Sequence, residues 1–296
     1  MNGESYPFKI GDFNCIAVSD GNHIYAPPNF PPPSTMLFAN APADTLGRVL
    51  AGYGLSPESW TQWDSPYICL FVDTGEHRVL MDTGAGNLAP TTGKLIQNLR
   101  ANRIAPEDID TVIITHGHPD HAGGITDDNG RLNFPEARYF LYRTEWDFWT
   151  SRQAEKTLDE HSSEVLIRIA RKNLLPIKER LELIDGEIEI IPGIRAIAAP
   201  GHTPGHLALL ISSGNEQLLC VSDTVLHPVH LEQPDWCCVF DIEHGQVPVT
   251  RRQLLERAAE EKILVSAFHF PFPGLGYVVP QEKVWRWQPI DIASVT

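Results

Sequence analysis

Residues 116–121 read His-Gly-His-Pro-Asp-His, which puts four potential metal ligands within six positions. They follow the apolar run Thr111 to Thr115, which reads as a buried strand. On an extended chain residues i and i+2 share a face, so His116 and His118 can grip one ion from one side. Pro119 disfavours helix at His118 and sets φ for a turn or a first helical position. The chain then changes direction, and Asp120 and His121 can face a second ion beside the first. Imidazole with carboxylate is a ligand set for zinc, manganese or iron. A single strand histidine is usually structural, but four ligands at this spacing form a metal motif.

Three further candidates stand where other strands end. His202 follows the run Ile194 to Ala199, Asp223 closes the run from Leu218, and His269 closes the run from Ile263. An α/β sheet places its binding crevice at the C-terminal ends of its strands. Two divalent ions about 3.5–4 Å apart can bridge a water and lower its pKa toward neutrality. The product is a hydroxide nucleophile that needs no serine or cysteine. Asp120 and Asp223 are the carboxylates of the set and the candidate catalytic residues. Asp223 suits a bridging role because a carboxylate has two oxygens to share.

The order HxHxDH, His, Asp, His resembles the metallo-β-lactamase superfamily, over roughly Phe8 to Ile290. The resemblance implies a four-layer αβ/βα sandwich, where periodicity alone gives only α/β. It implies that His116, His118 and His202 bind one metal, that Asp120, His121 and His269 bind the other, and that Asp223 bridges them. Two divalent ions per chain are expected, zinc first, with iron or manganese as alternatives. Residues 82–86, 116–124, 201–206 and 269–276 together look like the methyl parathion hydrolase branch, which also resembles the dinuclear N-acyl homoserine lactonases. Two departures stand out. Secreted members of that branch begin with a leader, and this chain does not. Many lactonases place a Tyr shortly after the bridging Asp, where this chain reads Thr224, Val225, Leu226, His227 and Pro228. An aspartate at 223, rather than a cysteine, also argues against the common β-lactamase arrangement.

Around this set, Asp82 is expected to orient a ligand histidine by accepting its free ring N–H, with His116, His118 and His202 as candidates. The alternative is a cap on the Thr83–Gly84 turn. His206 is expected to brace the His202 loop. His227 and His230 read as loop histidines near the pocket. Trp146, Phe148, Trp149, Phe272 and Leu275 are the candidate pocket wall, with core packing as the competing reading.

The ligands spread from His116 to His269, so one site needs both halves of the 296 residues. That predicts a single catalytic domain over 1–296. A Pro-rich arm around 26–40 excludes regular helix or central strand and reads as an ordered lid or a loop. Its apolar residues and the resemblance predict a homodimer. The formal net charge of −15 excludes general nucleic-acid and anionic-membrane binding. No run of about 18 apolar residues is present, and no leader, so a cytoplasmic protein is expected. The cysteines at 15, 69, 220, 237 and 238 lack metal-ligand spacing and read as buried thiols.

A hairpin is predicted at 67–72 and 78–81, and a helix capped by Thr92 runs to about Ala101. A helix over 164–173 and a last helix over about 249–261 follow. The expected function is hydrolysis of a small neutral ester: a lactone, an aryl ester or an aryl phosphotriester. A glyoxalase II-like thioesterase needs a C-terminal basic domain, and a di-iron redox protein of this fold needs a flavin domain. Neither is visible in the sequence.

Overall fold

A computed structural model describes residues 4–158 and 160–292. The chain opens with the hairpin β1 (Ser5–Ile10) and β2 (Phe13–Tyr25). The arm, expected to hold no regular helix, carries the short α1 (Pro33–Leu37), because Pro33 falls at the first helical position where a missing N–H costs nothing, and it leads to α2 (Ala43–Ala51). Then come β3 (Trp63–Asp73), β4 (Arg78–Met81), α3 (Leu95–Ala101), β5 (Thr111–Ile113) and α4 (Pro119–Ala122). β6 (Arg138–Tyr142) precedes α5 (Arg143–Thr150), α6 (Gln153–Thr157), α7 (Glu160–Leu174) and β7 (Leu181–Ile184). The second half runs β8 (Ile188–Ile191), β9 (Ile194–Ala198), β10 (Leu207–Ser213), β11 (Glu216–Cys220), α8 (Val229–Glu232), α9 (Val247–Glu260) and β12 (Leu264–Ser266). The hairpin β13 (Leu275–Gln281) and β14 (Val284–Pro289) ends it.

Among the described residues the strands form two seven-stranded sheets, β1 to β7 in chain order and β14 back to β8. Pairing is parallel from β4 through β7 and between β11 and β12, and antiparallel elsewhere. Between the sheets lies an apolar layer that includes Val79, Ile113, Phe140, Leu209 and Ile211. α3, α5 and α7 cover the outer face of the first sheet, and α9 covers that of the second. This is the αβ/βα sandwich expected. It explains why the run into His116 is apolar throughout: Val112 and Ile114 face the helices while Ile113 faces the other sheet. Ile167, Ala170 and Leu174 give α7 its buried stripe.

Two expectations change. Thr92 does not cap a helix, because its hydroxyl donates to the Gly86 and Ala89 carbonyls of the preceding turn. The cap on α3 comes from Asp20 of β2, which accepts the Leu95 N–H at 2.9 Å. Burial pushes the Asp20 carboxyl up to about 6, against three backbone N–H donors. The arm is not an uncovered apolar surface. Met36, Leu37 and Phe38 are buried against Trp63, Leu226, Val229 and Trp236 of the same chain. His230 donates from Nε2 to the Leu37 carbonyl at 3.0 Å and helps to pin the arm. The five cysteines are buried free thiols. Among the described residues no helix is long and apolar enough to cross a membrane.

Candidate metal centre

His116 lies just beyond β5, and His118 precedes α4 in extended conformation, with φ −66° and ψ 155°. Pro119 opens α4, which turns the chain so that Asp120 and His121 face inward. His202 sits between β9 and β10, Asp223 in a 3₁₀ turn after β11, and His269 just beyond β12. Both sheets therefore contribute. The structure brings all seven together in two sets: His116, His118, His202 and Asp223, and Asp120, His121, His269 and Asp223. Within each set the donor atoms lie within 4.8 Å of one another, and Asp223 belongs to both.

The donor spacing fits cations. His118 Nδ1 is 3.1 Å from His116 Nε2 and 2.9 Å from His202 Nε2. Asp223 Oδ2 is 3.2 Å from His202 Nε2 and 3.3 Å from His269 Nε2, and Oδ1 is 3.2 Å from His121 Nε2. Ligands at about 2.0–2.1 Å around a tetrahedral zinc are separated by roughly 3.3 Å. His121 Nε2 and Asp223 Oδ1 are buried with no protein hydrogen-bond partner. Orphaned buried polar atoms at the centre of a donor cluster are what a metal site leaves in bare protein. The residues present fit a pair of divalent cations.

Burial, then repulsion from neighbouring histidines, holds His116 and His118 well below the usual imidazole range. Burial also opposes charge on His121 and His202, but Asp223 with Asp120 and Asp82 raises the first, and Asp223 with Asp241 raises the second. Burial works against ionised Asp223, yet His121 and His269 hold it well below the carboxylate range. The cluster thus gathers positive charge around Asp223, and metal binding exchanges such protons for cations.

Five of the seven candidate ligands, His116, His121, His202, His269 and Asp223, are held from behind. Asp82, at a positive φ of 60°, accepts the His121 Nδ1–H at 2.8 Å. It also accepts the Thr115 N–H at 2.8 Å and hydroxyl at 2.9 Å. The expected partners of Asp82 were His116, His118 or His202; the partner is His121. Register is the reason: β4 pairs in parallel with β5, so Asp82 falls beside Thr115 and reaches past it into α4. Thr115 in turn accepts from His116 Nδ1 at 3.1 Å. Asp241 takes the His202 Nδ1–H at 2.8 Å, and Ser65 the His269 Nδ1–H at 2.8 Å. His206 braces two segments, donating from Nδ1 to the Ala199 carbonyl and accepting the Asp223 N–H at Nε2. Burial, with His202 nearby, lowers His206 to about 3 and keeps that lone pair free.

Glu145 is the least expected member. It is fully buried and accepts from the Gly117 N–H, the Trp149 indole, the Thr203 hydroxyl and the Gly205 N–H. One carboxylate ties the first histidine loop to the His202 loop. A Cβ on Gly117 would lie 2.5 Å from the Trp149 ring, and one on Gly205 would lie 2.2 Å from the Glu145 backbone nitrogen. These two glycines permit that packing.

The candidate wall needs revision. Phe148 and Leu275 are 0% and 2% exposed and belong to the helix-side and inter-sheet cores, so they offer a substrate no surface. Trp146 and Phe272 are half-buried and pack on those same cores. Trp149 is fully buried but lies 5.6 Å from the His118 ring. Other aromatics stand at the centre. Trp63 and Tyr67 each lie 5.6 Å from the His269 ring. Tyr25 stacks on Trp63, and His23, Phe30 and Phe240 continue outward from Tyr25. Burial and then the Asp120 charge raise Tyr25 well above the phenol range. Burial lowers His23, with Asp120 opposing.

The family model of the Metallo-beta-lactamase superfamily matches residues 65–261. The chain belongs to the metallo-beta-lactamase superfamily. An N-acyl homoserine lactonase of Bacillus cereus is 27% identical over 239 residues, which are 74% of this chain and 83% of that protein. The dizinc quorum-quenching lactonase AidC, solved with a product, has a TM-score of 0.86 at 26% identity, covering 97% of this chain and 98% of that one. The beta-lactamase superfamily hydrolase AbOPH has a TM-score of 0.84 at 28% identity, with coverage of 97% and 98%. The chain is a metal-dependent hydrolase of this superfamily.

Proposed function

We propose that the chain acts as one catalytic domain that opens lactones, using two zinc ions held by His116, His118 and His202 on one side and Asp120, His121 and His269 on the other, with Asp223 shared. The observation that carries this reading is the convergence of seven buried donors into two sets with one carboxylate common to both. When bound there, two divalent ions supply an activated hydroxide and polarise the ester carbonyl. The similarity to lactonases, one of them dizinc, supports the metal and the substrate class.

The chain's own residues then do the positioning. Asp82, Asp241 and Ser65 fix the tautomers of His121, His202 and His269, so that each presents its Nε2 lone pair inward. Asp120 and His118 are the most exposed of the seven, at 8% and 6%, so substrate approaches from their side. The aromatic group of Tyr25, Phe30, Trp63 and Phe240 borders the Asp120 and His269 side, where Trp63 packs on the His269 ring and Tyr25 feels the Asp120 charge, and it suits an apolar acyl or aryl group. Tyr25 and Tyr67 share one hydrogen bond at 2.7 Å. Two phenols carry two protons, so one proton is left over to donate to an ester oxygen. Aryl esters and aryl phosphotriesters are the extension of this reading, since they also present one polarised oxygen to the metals.

The test is metal analysis of purified protein with a panel of lactone, aryl ester, aryl phosphotriester, thioester and β-lactam substrates. Two zinc ions per chain and lactone turnover are expected. Thioester or β-lactam turnover without lactone turnover would refute the proposal. The homodimer now rests on the resemblance alone, and light scattering at micromolar concentration decides it. Five free thiols suit a reducing compartment such as the cytoplasm.

A further inference from the structure

Arg251 of α9 is fully buried and forms no ion pair among the described residues. Its guanidinium spends itself on backbone carbonyls instead. Nε donates to Thr224 at 2.7 Å, and Nη1 donates to Pro234 at 3.0 Å and Trp236 at 2.5 Å. Nη2 has no partner. A buried charge with no carboxylate in contact is costly even with Asp241 nearby, so a core arginine used this way calls for a reason.

The three carbonyls supply one. Thr224 directly follows Asp223, the carboxylate common to both donor sets. Trp236 leads into the turn in which the Cys238 N–H donates to Asp241 Oδ2 at 2.8 Å. The other oxygen of Asp241 holds His202 at Nδ1. The planar fork of one arginine therefore spans the segment that presents Asp223 and the segment that presents the support of His202. The same helix also closes on the His202 loop, since the Thr250 hydroxyl donates to the Pro200 carbonyl at 2.6 Å. Against burial, the His202 hydrogen bond and charge, and then the Arg251 charge, hold the Asp241 carboxyl down at about 2.

We propose that Arg251 is a positioning residue for the metal centre: it locks the Asp223 turn and the Asp241 loop into one register, so that His116, His118, His202 and Asp223 keep the shape of a single cation site. This rests on the two-metal reading above. Arg251 does not touch substrate or metal; it acts through Thr224 on Asp223 and through Asp241 on His202. A lysine keeps the charge but cannot reach carbonyls that lie in different directions of a guanidinium plane.

The experiment compares wild type, Arg251→Met, Arg251→Lys and Arg257→Met, each loaded with zinc or cobalt and dialysed against graded chelator. Arg257 lies on the same helix in a surface pair with Glu261 and serves as the control. Bound metal, the cobalt visible spectrum and the melting of the metal-free proteins are read. In Arg251→Met, one of the two ions should be lost at about tenfold less chelator, the low end of the range for residues behind metal ligands. The other ion shares Asp223 but not His202, so it should be weakened by a clearly smaller factor. Arg251→Lys should fall between, and Arg257→Met should match wild type. If Arg251→Met does not fold, Arg251→Lys decides, and a wild-type chelator midpoint there would overturn the inference. Parallel weakening of both ions, with the metal-free proteins melting correspondingly lower, would also overturn it, by reducing Arg251 to a core residue. Wild type that takes up no metal would defeat the centre itself, whereas the other two outcomes leave the centre standing.

Discussion

Replacing Glu145 should separate a residue that shapes the centre from one that merely packs. Its Oε1 accepts from the Gly117 N–H at 2.7 Å and the Trp149 indole at 2.6 Å. Its Oε2 accepts from the Thr203 hydroxyl at 2.7 Å and the Gly205 N–H at 3.0 Å. Glu145→Ala strands four buried donors, each worth about 1–3 kcal/mol when left unmade, although water entering the void recovers part. A net loss of about 4 kcal/mol is expected, a large share of the ~5–15 kcal/mol that holds a domain folded. Glu145→Gln behaves differently. Its oxygen serves one pair of donors, the Thr203 hydroxyl can turn to accept, and only the Gly205 N–H faces another N–H. Burial raises the Glu145 pKa in spite of the four donors, so a neutral amide also sheds a desolvation cost. About 1–2 kcal/mol is expected for it. At about 2–4 °C per kcal/mol for domains of 150–250 residues, the alanine variant should melt roughly 8–16 °C below wild type and the glutamine variant roughly 2–8 °C below. Calorimetry on metal-free protein measures this. An alanine variant within 2 °C of wild type (~1 kcal/mol or less), or a glutamine variant as damaged as the alanine one, would refute the reasoning.

Asp82→Ala removes the acceptor of His121 Nδ1–H and of Thr115, and should weaken metal binding about 10–100-fold in chelator competition; unchanged affinity would mean that Asp82 supports only its turn. Burial lowers His227 to about 4 in the folded protein, against about 6.5 in the unfolded chain. The unfolded chain therefore takes up a proton that the fold refuses, and this stabilising contribution, complete above pH ~6.5, is lost as pH falls toward 4. His227→Gln should flatten the stability profile of metal-free protein by one proton over that range, and parallel urea-midpoint profiles would count against it.

The strands were legible because apolar runs and their breaks mark them directly, as at Thr111 to Thr115, whereas the layering into a sandwich came from the resemblance and not from periodicity. The convergence of the seven candidate donors was legible because four are local and three stand at strand ends. Their supports were not. Asp241 lies 39 residues from His202 in a loop without periodicity. Glu145 reads as an ordinary acidic residue in the first turn of α5. Asp82 was singled out with the wrong partner, since only the β4–β5 register shows that it faces His121. The aromatic wall misled for a simpler reason. Glu145, Phe148 and Trp149 recur at i, i+3 and i+4, and that stripe faces the core. The aromatics grouped around Tyr25 and Trp63 come from β2, β3, the arm and the loop before α9, and nothing local ties them to the motif at His269.

The supports also bear on how many ions the centre holds. Asp82, Asp120, Asp223, Asp241 and Glu145 are buried carboxylates at or directly behind the ligands, and Arg251 is the buried cation among them. With neutral histidines this group carries four negative charges. Burying so much charge without compensation is prohibitive, and the same carboxylates push the pKa values of His121 and His202 up against the effect of burial. Two divalent cations offset all four charges, or all but one once the hydroxide of the proposed reaction is counted; a single cation would leave at least two. The case for a dinuclear centre therefore comes from the residues behind the ligands as well as from the ligands. Removing a support changes this balance as well as a hydrogen bond, so Asp82→Ala and Asp241→Ala should each weaken metal binding more than loss of the neutral Ser65 support to His269.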